Sequence, residues 1–310
     1  MITLSIVIPV YNGASSIERL VNELAKLRID GGLELVLVND CSPDDSWRII
    51  QRLVQEAPMA IVAVDLARNF GEHNAVMAGY SASSGQYVIN IDDDFQNPPS
   101  EVVKLLDYAK AHPDLDVIYT KYERKRHSYF RNLGSRFNDG MARFLLDKPK
   151  GLYLSSFRCV NRFLCDEILR YTGPYPYIDG IILEHTQRIG TLQVVHAPRA
   201  EGRSSYTLRK LIRLWLFMFV NFSVMPLRIS SIMGFVFSGS GFILALYVVF
   251  ESFVRGNPQG WASITAGILV FSGIQLLMLG LIGEYLGRLY LMQKGKPQYA
   301  VRTVLKAKVD

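Results

Sequence analysis

Short apolar runs alternate with helical patterns over the first 120 residues of this chain. The runs are rich in β-branched residues and nearly free of polar ones, whereas the segments between them carry apolar residues at helical spacing. Strands buried on both faces have this continuous apolar pattern, and parallel pairing requires a helical crossover between them. The sequence therefore predicts an α/β domain with a Rossmann-like, mostly parallel sheet, whose sites lie at the carboxyl ends of the strands. The predicted strands are 4–10, 34–38, 61–66, 87–92 and 116–120, and the predicted helices are 15–27, 42–54, 73–83 and one that begins at Pro98 and Pro99.

Two long stretches without charge lie in the last third of the chain, at 229–250 and 261–283. Each is long enough to cross a hydrocarbon core of roughly 30 Å. The sequence predicts a hairpin of two transmembrane helices, and two buried helices of a soluble protein are the alternative. Residues 206–228 combine an apolar helical face with basic early turns, which favours a helix in the membrane interface over one packed on the α/β domain.

Charge is distributed unevenly. Residues 1–202 hold 22 Lys and Arg against 25 Asp and Glu, whereas residues 203–310 hold 12 against 3. A basic excess at one end predicts an anionic partner, here a membrane surface rather than nucleic acid. Basic residues flank the two apolar stretches on the outside, so the positive-inside rule predicts a multi-pass protein of the cell (inner) membrane with both termini cytoplasmic. The predicted parts are an α/β domain at 1–202, an interfacial helix at 203–228, the hairpin at 229–283 and a basic cytoplasmic tail at 284–310.

Three consecutive aspartates, Asp92 to Asp94, follow the fourth apolar run. Side chains two residues apart at a strand end project to the same side, so Asp92 and Asp94 are expected to converge while Asp93 points elsewhere. Paired carboxylates suit Mg²⁺ or Mn²⁺, which takes its other ligands from water and phosphate oxygens. Gln96 is a candidate third ligand. A solvated acidic turn is the alternative interpretation.

Polar motifs also close the first three runs: IPVYNG, VNDCSPDDS and ARNFGEHNAVMAGY. Together with D-x-D-x-Q-x-P-P, FSVMPLR and LIGEYLGRLY, they resemble the inverting family-2 nucleotide-sugar glycosyltransferases of GT-A fold. The resemblance runs almost end to end, in particular to the branch that glycosylates polyprenyl phosphates. It implies a metal-dependent membrane enzyme of cell envelope glycan biosynthesis. Such an enzyme moves a sugar from a nucleoside diphosphate sugar, here expected to be UDP-linked, to undecaprenyl phosphate.

The resemblance also implies roles for individual residues. The nucleotide-binding set would be Pro9, Tyr11, Asn12, Asp40, Arg68, Gly71 and Asp92. The first four of these would contact the base and ribose, Arg68 would lie near the diphosphate, and Gly71 would allow close approach of the backbone. The ligands of Mg²⁺ or Mn²⁺ would be Asp92, Asp94 and Gln96. The acceptor phosphate would be held by Arg131, Ser135 and Arg199. Catalysis would rest on Asp92, Asp94 and Arg131.

Two departures from the family pattern bear on the chemistry. Ser205 stands where the family often has a lysine, and GLYLSSFR (151–158) lacks the carboxylate that many relatives carry there. No catalytic base is therefore carried over. None is required if the acceptor is a phosphate monoester, because its second pKa near ~6 leaves it largely dianionic at neutral pH.

Alternatives remain open at this point. One is a GDP-mannose-dependent dolichyl- or polyprenyl-phosphate mannosyltransferase, since the base is not readable from these residues. Another is a catalytically silent membrane scaffold that keeps the fold for binding. Gly283 and Gly287 would permit close helix packing, so a homo-oligomer is a further expectation.

Overall fold

The structure is a computed structural model, and it describes residues 2–122, 149, 151–195, 225–255, 260–295 and 297–307. The chain divides into two compact units. The first comprises residues 1–205 and 295–310, and the second comprises residues 206–294. Most of the predicted interfacial helix lies outside the described residues.

The first unit is built on one sheet. Its strands are β1 Leu4–Val10, β2 Leu33–Asn39, β3 Ala60–Leu66, β4 Tyr87–Asn90, β5 Val117–Tyr122, β6 Arg158–Asn161, β7 Ile189–Val194 and β8 Val301–Lys306. The strand order is β7-β5-β6-β4-β1-β2-β3-β8. Neighbours within β4-β1-β2-β3 run parallel, as does β5 with β7, whereas β6 and β8 run antiparallel to their partners. The predicted mixed α/β architecture with a mostly parallel sheet is confirmed.

Helices cover both faces of this sheet. In the described part of the first unit they are α1 Ile17–Leu24, α2 Ser46–Glu56, α3 Glu72–Ala82, α4 Pro99–Ala111, α5 Arg162–Leu169 and α6 Ile178–His185. One apolar core lies under α1, α2 and α4, and a second lies under α3, α5 and α6. Side chains along β1 alternate between the two cores: Ile6 and Ile8 lie in the first, and Val7 lies in the second. Each such fully buried side chain contributes roughly 1.5–3 kcal/mol.

Gly79 allows α3 to lie close against β1. A Cβ atom at this position would come within 2.2 Å of Val7 Cγ1, closer than any real contact. Because Gly79 has no side chain, α3 packs directly on the strands. The first turn of α3 lies at the carboxyl edge of the sheet.

The last strand is an element that the sequence analysis did not predict. Residues 284–310 read as a basic tail, but β8 within them pairs with β3 from Lys306 opposite Val62 to Val301 opposite Leu66. The chain thus returns to the sheet of the first unit after the second unit is complete.

The second unit contains α7 Met225–Arg255 and α8 Trp261–Gln293. The rings of Phe237 and Phe271 meet edge to face with centroids 6.2 Å apart. Both predicted apolar stretches, 229–250 and 261–283, fall within these helices. In the described parts of the chain, no helix is both long and apolar enough to cross a membrane.

Candidate active site

The loop after β1 is held by side chains of the loop after β2 and of the first residue of α2. Three successive backbone N–H groups donate to three side-chain oxygens: Asn12 to Ser42 Oγ at 3.2 Å, Gly13 to Ser46 Oγ at 3.0 Å and Ala14 to Asp44 Oδ2 at 3.0 Å. Asn12 has a φ of 58°, a left-handed conformation that asparagine tolerates better than most residues. Tyr11 is 50% exposed. The predicted base and ribose contacts Pro9, Tyr11 and Asn12 therefore lie at the carboxyl end of β1, where parallel α/β sheets bind ligands.

Asp40 joins this edge to the loop after β3. Its carboxylate is buried and accepts the backbone N–H of Phe70 at 2.7 Å and of Gly71 at 2.8 Å. Burial raises the pKa of Asp40, and the two backbone hydrogen bonds oppose that rise. Each carboxylate oxygen can accept a second hydrogen bond, so the predicted contact with a nucleotide base stays a prediction. What the structure adds is that Asp40 orders the loop of Arg68 and Gly71.

Gly71 starts α3 in a conformation reserved for glycine, with φ 90° and ψ 158°. The Arg68 guanidinium stacks over the Phe70 ring, with Cζ 4.6 Å from the centroid. Arg68, the predicted diphosphate contact, and Gly71 are thus held in one short loop at the N-terminus of α3, a position favourable for anions.

The aspartate cluster forms a tight turn at the end of β4. Asp94 Oδ1 accepts the backbone N–H of Gln96 at 3.1 Å, and Phe95 between them has a φ of 58°. Such an Asx turn fixes the direction of the Asp94 carboxylate. Asp92 Oδ2 accepts a hydrogen bond of 2.8 Å from the Ser156 hydroxyl. The carboxylates of two of the three predicted metal ligands, Asp92 and Asp94, are therefore each oriented by a second group.

Asp93 points toward the start of α1, away from that arrangement. Its Oδ2 occupies the space where a Cβ of Gly13 would lie, at 2.1 Å, and has no hydrogen-bond partner among the described residues. The pKa of Asp93 is raised to about 6, mainly by burial and further by the charges of Asp92 and Asp94. Three carboxylates are thus concentrated within one turn.

The variant Gly13→Ala is expected to disturb this turn. An added methyl group would collide with the Asp93 carboxylate and with Val10 Cγ1 at 2.8 Å, and overpacking of this kind costs about 1–3 kcal/mol. Urea unfolding should register that loss. A matched control is Gly234→Ala in α7, where the described structure places no heavy atom within 4 Å of the new Cβ. Equal stability of wild type and Gly13→Ala would show that the Asp93 contact is unimportant.

The donor set fits a divalent cation. In the described part of the chain, no group of three or more His, Cys, Asp or Glu side chains is arranged to hold a metal by itself. Mg²⁺ and Mn²⁺ commonly bind through one or two carboxylates and complete their shell with water and substrate phosphates. Asp92 and Asp94, oriented as described, could supply hard oxygen ligands to such an ion.

A buried polar network lies beneath this edge, and the sequence analysis did not identify it. Arg158 and Asp179 form a buried ion pair, and Tyr119 donates to Asp179 Oδ1 at 2.8 Å. Tyr80 donates to Asn90 Oδ1 at 2.5 Å, in the last residue of β4. Burial disfavours the charged guanidinium, but the facing Asp179 outweighs it, so the pKa of Arg158 lies above its ordinary value. Because Asn90 lies two residues before Asp92, we infer that this network anchors the base of the aspartate turn.

Two titratable residues in the first turn of α3, Glu72 and His73, interact electrostatically with the buried Arg158–Asp179 pair, and Glu72 also interacts with Asp92. Partial desolvation raises the pKa of Glu72, and the charge of Asp92 raises it further, although Glu72 remains open to solvent. Burial lowers the pKa of His73, whose ring meets the Tyr177 ring edge to face at 5.3 Å. Both residues belong to the motif ARNFGEHNAVMAGY, but their spacing did not indicate that they lie near the site.

Three predicted acceptor residues, Arg131, Ser135 and Arg199, lie outside the described residues. Their roles stay predictions. Ser156, by contrast, falls in the segment GLYLSSFR, which attracted attention only for its missing carboxylate. Its hydroxyl contact with Asp92 joins residues 64 positions apart, and no sequence pattern signals such a pair.

Comparison with known proteins identifies the class. The family model described as glycosyl transferase family 2 matches residues 5–169. The chain belongs to this family, which confirms the family resemblance. Related solved structures share the fold: glucosyl-3-phosphoglycerate synthase from Mycobacterium tuberculosis, in complex with Mn²⁺, UDP and phosphoglyceric acid, has a TM-score of 0.51 at 18% identity, over 70% of this chain and 76% of that one.

Relatives in the same family extend over nearly the whole chain. An undecaprenyl-phosphate 4-deoxy-4-formamido-L-arabinose transferase from Proteus mirabilis (strain HI4320) is 31% identical over 309 residues, covering 98% of this chain and 94% of the relative. A protein of the same name from Yersinia enterocolitica is 34% identical over 311 residues, with the same two coverages. These names belong to the branch that the sequence resemblance indicated.

Proposed function

We propose that this protein transfers a sugar from a nucleoside diphosphate sugar to undecaprenyl phosphate. The donor that we propose is a UDP-sugar. The observation that carries the proposal is the oriented aspartate turn, in a chain that aligns over 98% of its length with transferases named for that lipid acceptor. A relative in fold, named with Mn²⁺ and UDP in its structure, supports a metal-bound UDP donor.

In this proposal the nucleotide lies across the carboxyl ends of β1, β2 and β3. Tyr11 offers an exposed ring beside Asn12, and Arg68, in the loop that precedes α3, would contact the diphosphate. Asp92 and Asp94 hold Mg²⁺ or Mn²⁺ with a contribution from Gln96. The ion, when bound, stabilises the negative charge of the departing nucleoside diphosphate.

The chain itself has little covalent chemistry to perform. A phosphate oxygen of the lipid attacks the anomeric carbon, the bond between that carbon and the diphosphate oxygen breaks, and the nucleoside diphosphate leaves with the bonding electrons. A single displacement inverts the anomeric configuration. The lipid phosphate is already ionised, so alignment is the main contribution of the protein, and we propose Arg131, Ser135 and Arg199 for the acceptor side.

We also propose that the second unit associates with the membrane that carries the acceptor. Large apolar side chains are exposed along both helices, among them Phe235 at 82% and Leu276 at 68%. Apolar surface of this extent marks a contact with lipid or protein, and the basic flanks favour a cytoplasmic catalytic unit. Separation of cell membranes from the soluble fraction by ultracentrifugation tests this proposal. Recovery of the chain in the soluble fraction would contradict it.

One assay tests the proposed reaction. The purified full chain is incubated with undecaprenyl phosphate, Mn²⁺ or Mg²⁺ and a panel of UDP- and GDP-sugars, and glycolipid is sought by mass spectrometry. A product from a UDP-sugar is expected. A product only from GDP-mannose would identify the mannosyltransferase alternative. Nucleotide binding without any product would favour the scaffold.

A further inference from the structure

We propose that Gln298 is a positioning residue for donor binding, which ties the loop Tyr171–Tyr177 to the segment 297–302. This inference rests on the proposed function, because it concerns the loops on either side of the proposed diphosphate site. The segment begins soon after α8 ends at Gln293 and leads directly into β8.

The side-chain amide of Gln298 makes two hydrogen bonds to one loop. Nε2 donates to the carbonyl of Tyr171 at 2.6 Å and to the carbonyl of Gly173 at 2.9 Å. Both amide hydrogens are thereby used on the backbone of the loop between α5 and α6. A backbone held at two points two residues apart is fixed in both position and orientation.

The same segment also holds the loop after β3. Ala67 donates its N–H to the carbonyl of Ala300 at 2.8 Å, and an Arg302 guanidinium N–H donates to the carbonyl of Ala67 at 3.2 Å. Ala67 immediately precedes Arg68, the proposed diphosphate contact. Both backbone groups of the residue before Arg68 are therefore satisfied by the segment that carries Gln298.

The loop 171–177 also contacts the start of α3, which directly follows the loop after β3. Tyr177, which ends the loop 171–177, meets His73 edge to face at 5.3 Å. His73 lies two residues after Gly71, whose N–H is held by Asp40 at 2.8 Å. Gln298 is therefore connected to the loop of Arg68 by two routes. One runs through the loop 171–177 and α3, and the other runs along the backbone to Ala300. Loosening the tie at Gln298 should loosen the site without removing any group that touches the donor.

The decisive variant is Gln298→Glu. It keeps the length of the side chain but replaces the two donated hydrogens with carboxylate oxygens, which face two carbonyl oxygens and repel them. Part of the net strength of the two lost hydrogen bonds should be felt at the donor site, so we expect a rise of about tenfold in the donor KM. We expect kcat to change less than about threefold, since the reacting groups remain, and the KM for undecaprenyl phosphate to stay unchanged. Gln298→Ala should act in the same direction with a smaller effect, and it replaces Gln298→Glu if that variant does not fold.

Hydrogen–deuterium exchange of the full chain in detergent provides a readout independent of catalysis. Amides of residues 67–71 and 171–177 should exchange faster in Gln298→Glu than in wild type. The matched control is Gln51→Glu on α2, where the side chain is exposed and neither exchange nor kinetics should change. Unchanged exchange in both loops would overturn the inference, and so would faster exchange with an unchanged donor KM. If wild type transfers no sugar from any donor, the proposed function fails with this inference, whereas a transferring wild type with an unaffected Gln298→Glu variant rejects the inference alone.

Discussion

The variant Asp94→Asn is expected to lose sugar transfer by about a thousandfold or more while keeping its fold. Asparagine retains an oxygen that can accept the Gln96 N–H, so the turn after β4 should persist. It lacks the negative charge that a hard divalent cation requires from its protein ligand. A thousandfold loss corresponds to about 4 kcal/mol of transition-state stabilisation, which is a plausible share for a metal that neutralises a leaving diphosphate. The measurement is kcat with saturating UDP-sugar and Mn²⁺, together with circular dichroism for the fold.

The matched control for this variant is Asp114→Asn. Asp114 is exposed and precedes β5, at the end of the sheet opposite the site. Its replacement removes the same charge and should leave turnover unchanged. Wild-type turnover in Asp94→Asn would show that Asp94 does not hold the catalytic metal.

The second large effect is expected at the buried ion pair. Asp179→Asn leaves the Arg158 guanidinium buried without its counter-charge, with Arg158 only 3% exposed. Removing one partner of a buried pair typically costs about 3–5 kcal/mol. The midpoint of urea unfolding of the full chain in detergent should fall accordingly, and the aspartate turn above the pair should become less ordered.

An exposed ion pair supplies the comparison. Glu167 and Arg170 lie 2.9 Å apart on the surface of α5, with the arginine side chain 76% exposed. Glu167→Gln should cost no more than about 1 kcal/mol. If both variants destabilised the protein equally, the Arg158–Asp179 pair would not be the anchor that we infer.

The local sequence pattern was sufficient to predict the elements at the centre of the sheet. The predicted strand 4–10 coincides with β1, and the predicted helix 73–83 differs from α3 by one residue at each end. These elements are readable because their apolar periodicity reports burial directly. The predicted strand 87–92 ends earlier, at Asn90, because the chain already turns at the aspartates.

Other elements could not be read from local pattern. The strand β6 begins with Arg158, whose buried charge is stabilised by Asp179 and breaks the apolar pattern of the strand. The strand β8, VRTVLK, has no regular alternation of polar and apolar residues and lies within a basic tail. Its partner β3 lies more than 200 residues earlier. Pairing over such a separation leaves no local signal.

In the candidate site, too, some residues could be predicted from the sequence and others could not. Asp92, Asp94 and Gln96 are adjacent in sequence, so their spacing alone suggested a metal. The supports of these residues are distant in sequence: Ser156 reaches Asp92, and Asp40 holds the N–H groups of Phe70 and Gly71. Contacts of this kind depend on which strands are neighbours, and only the folded chain specifies that.

The central claim is that Asp92 and Asp94 bind a divalent cation together with a nucleoside diphosphate. The most direct measurement is an anomalous difference map, at the manganese edge, from crystals of the full chain grown with Mn²⁺ and UDP. The account predicts one strong peak within coordination distance of the Asp92 and Asp94 carboxylates and of a diphosphate oxygen. A manganese peak elsewhere, with UDP bound away from the carboxyl ends of β1 to β4, would contradict it.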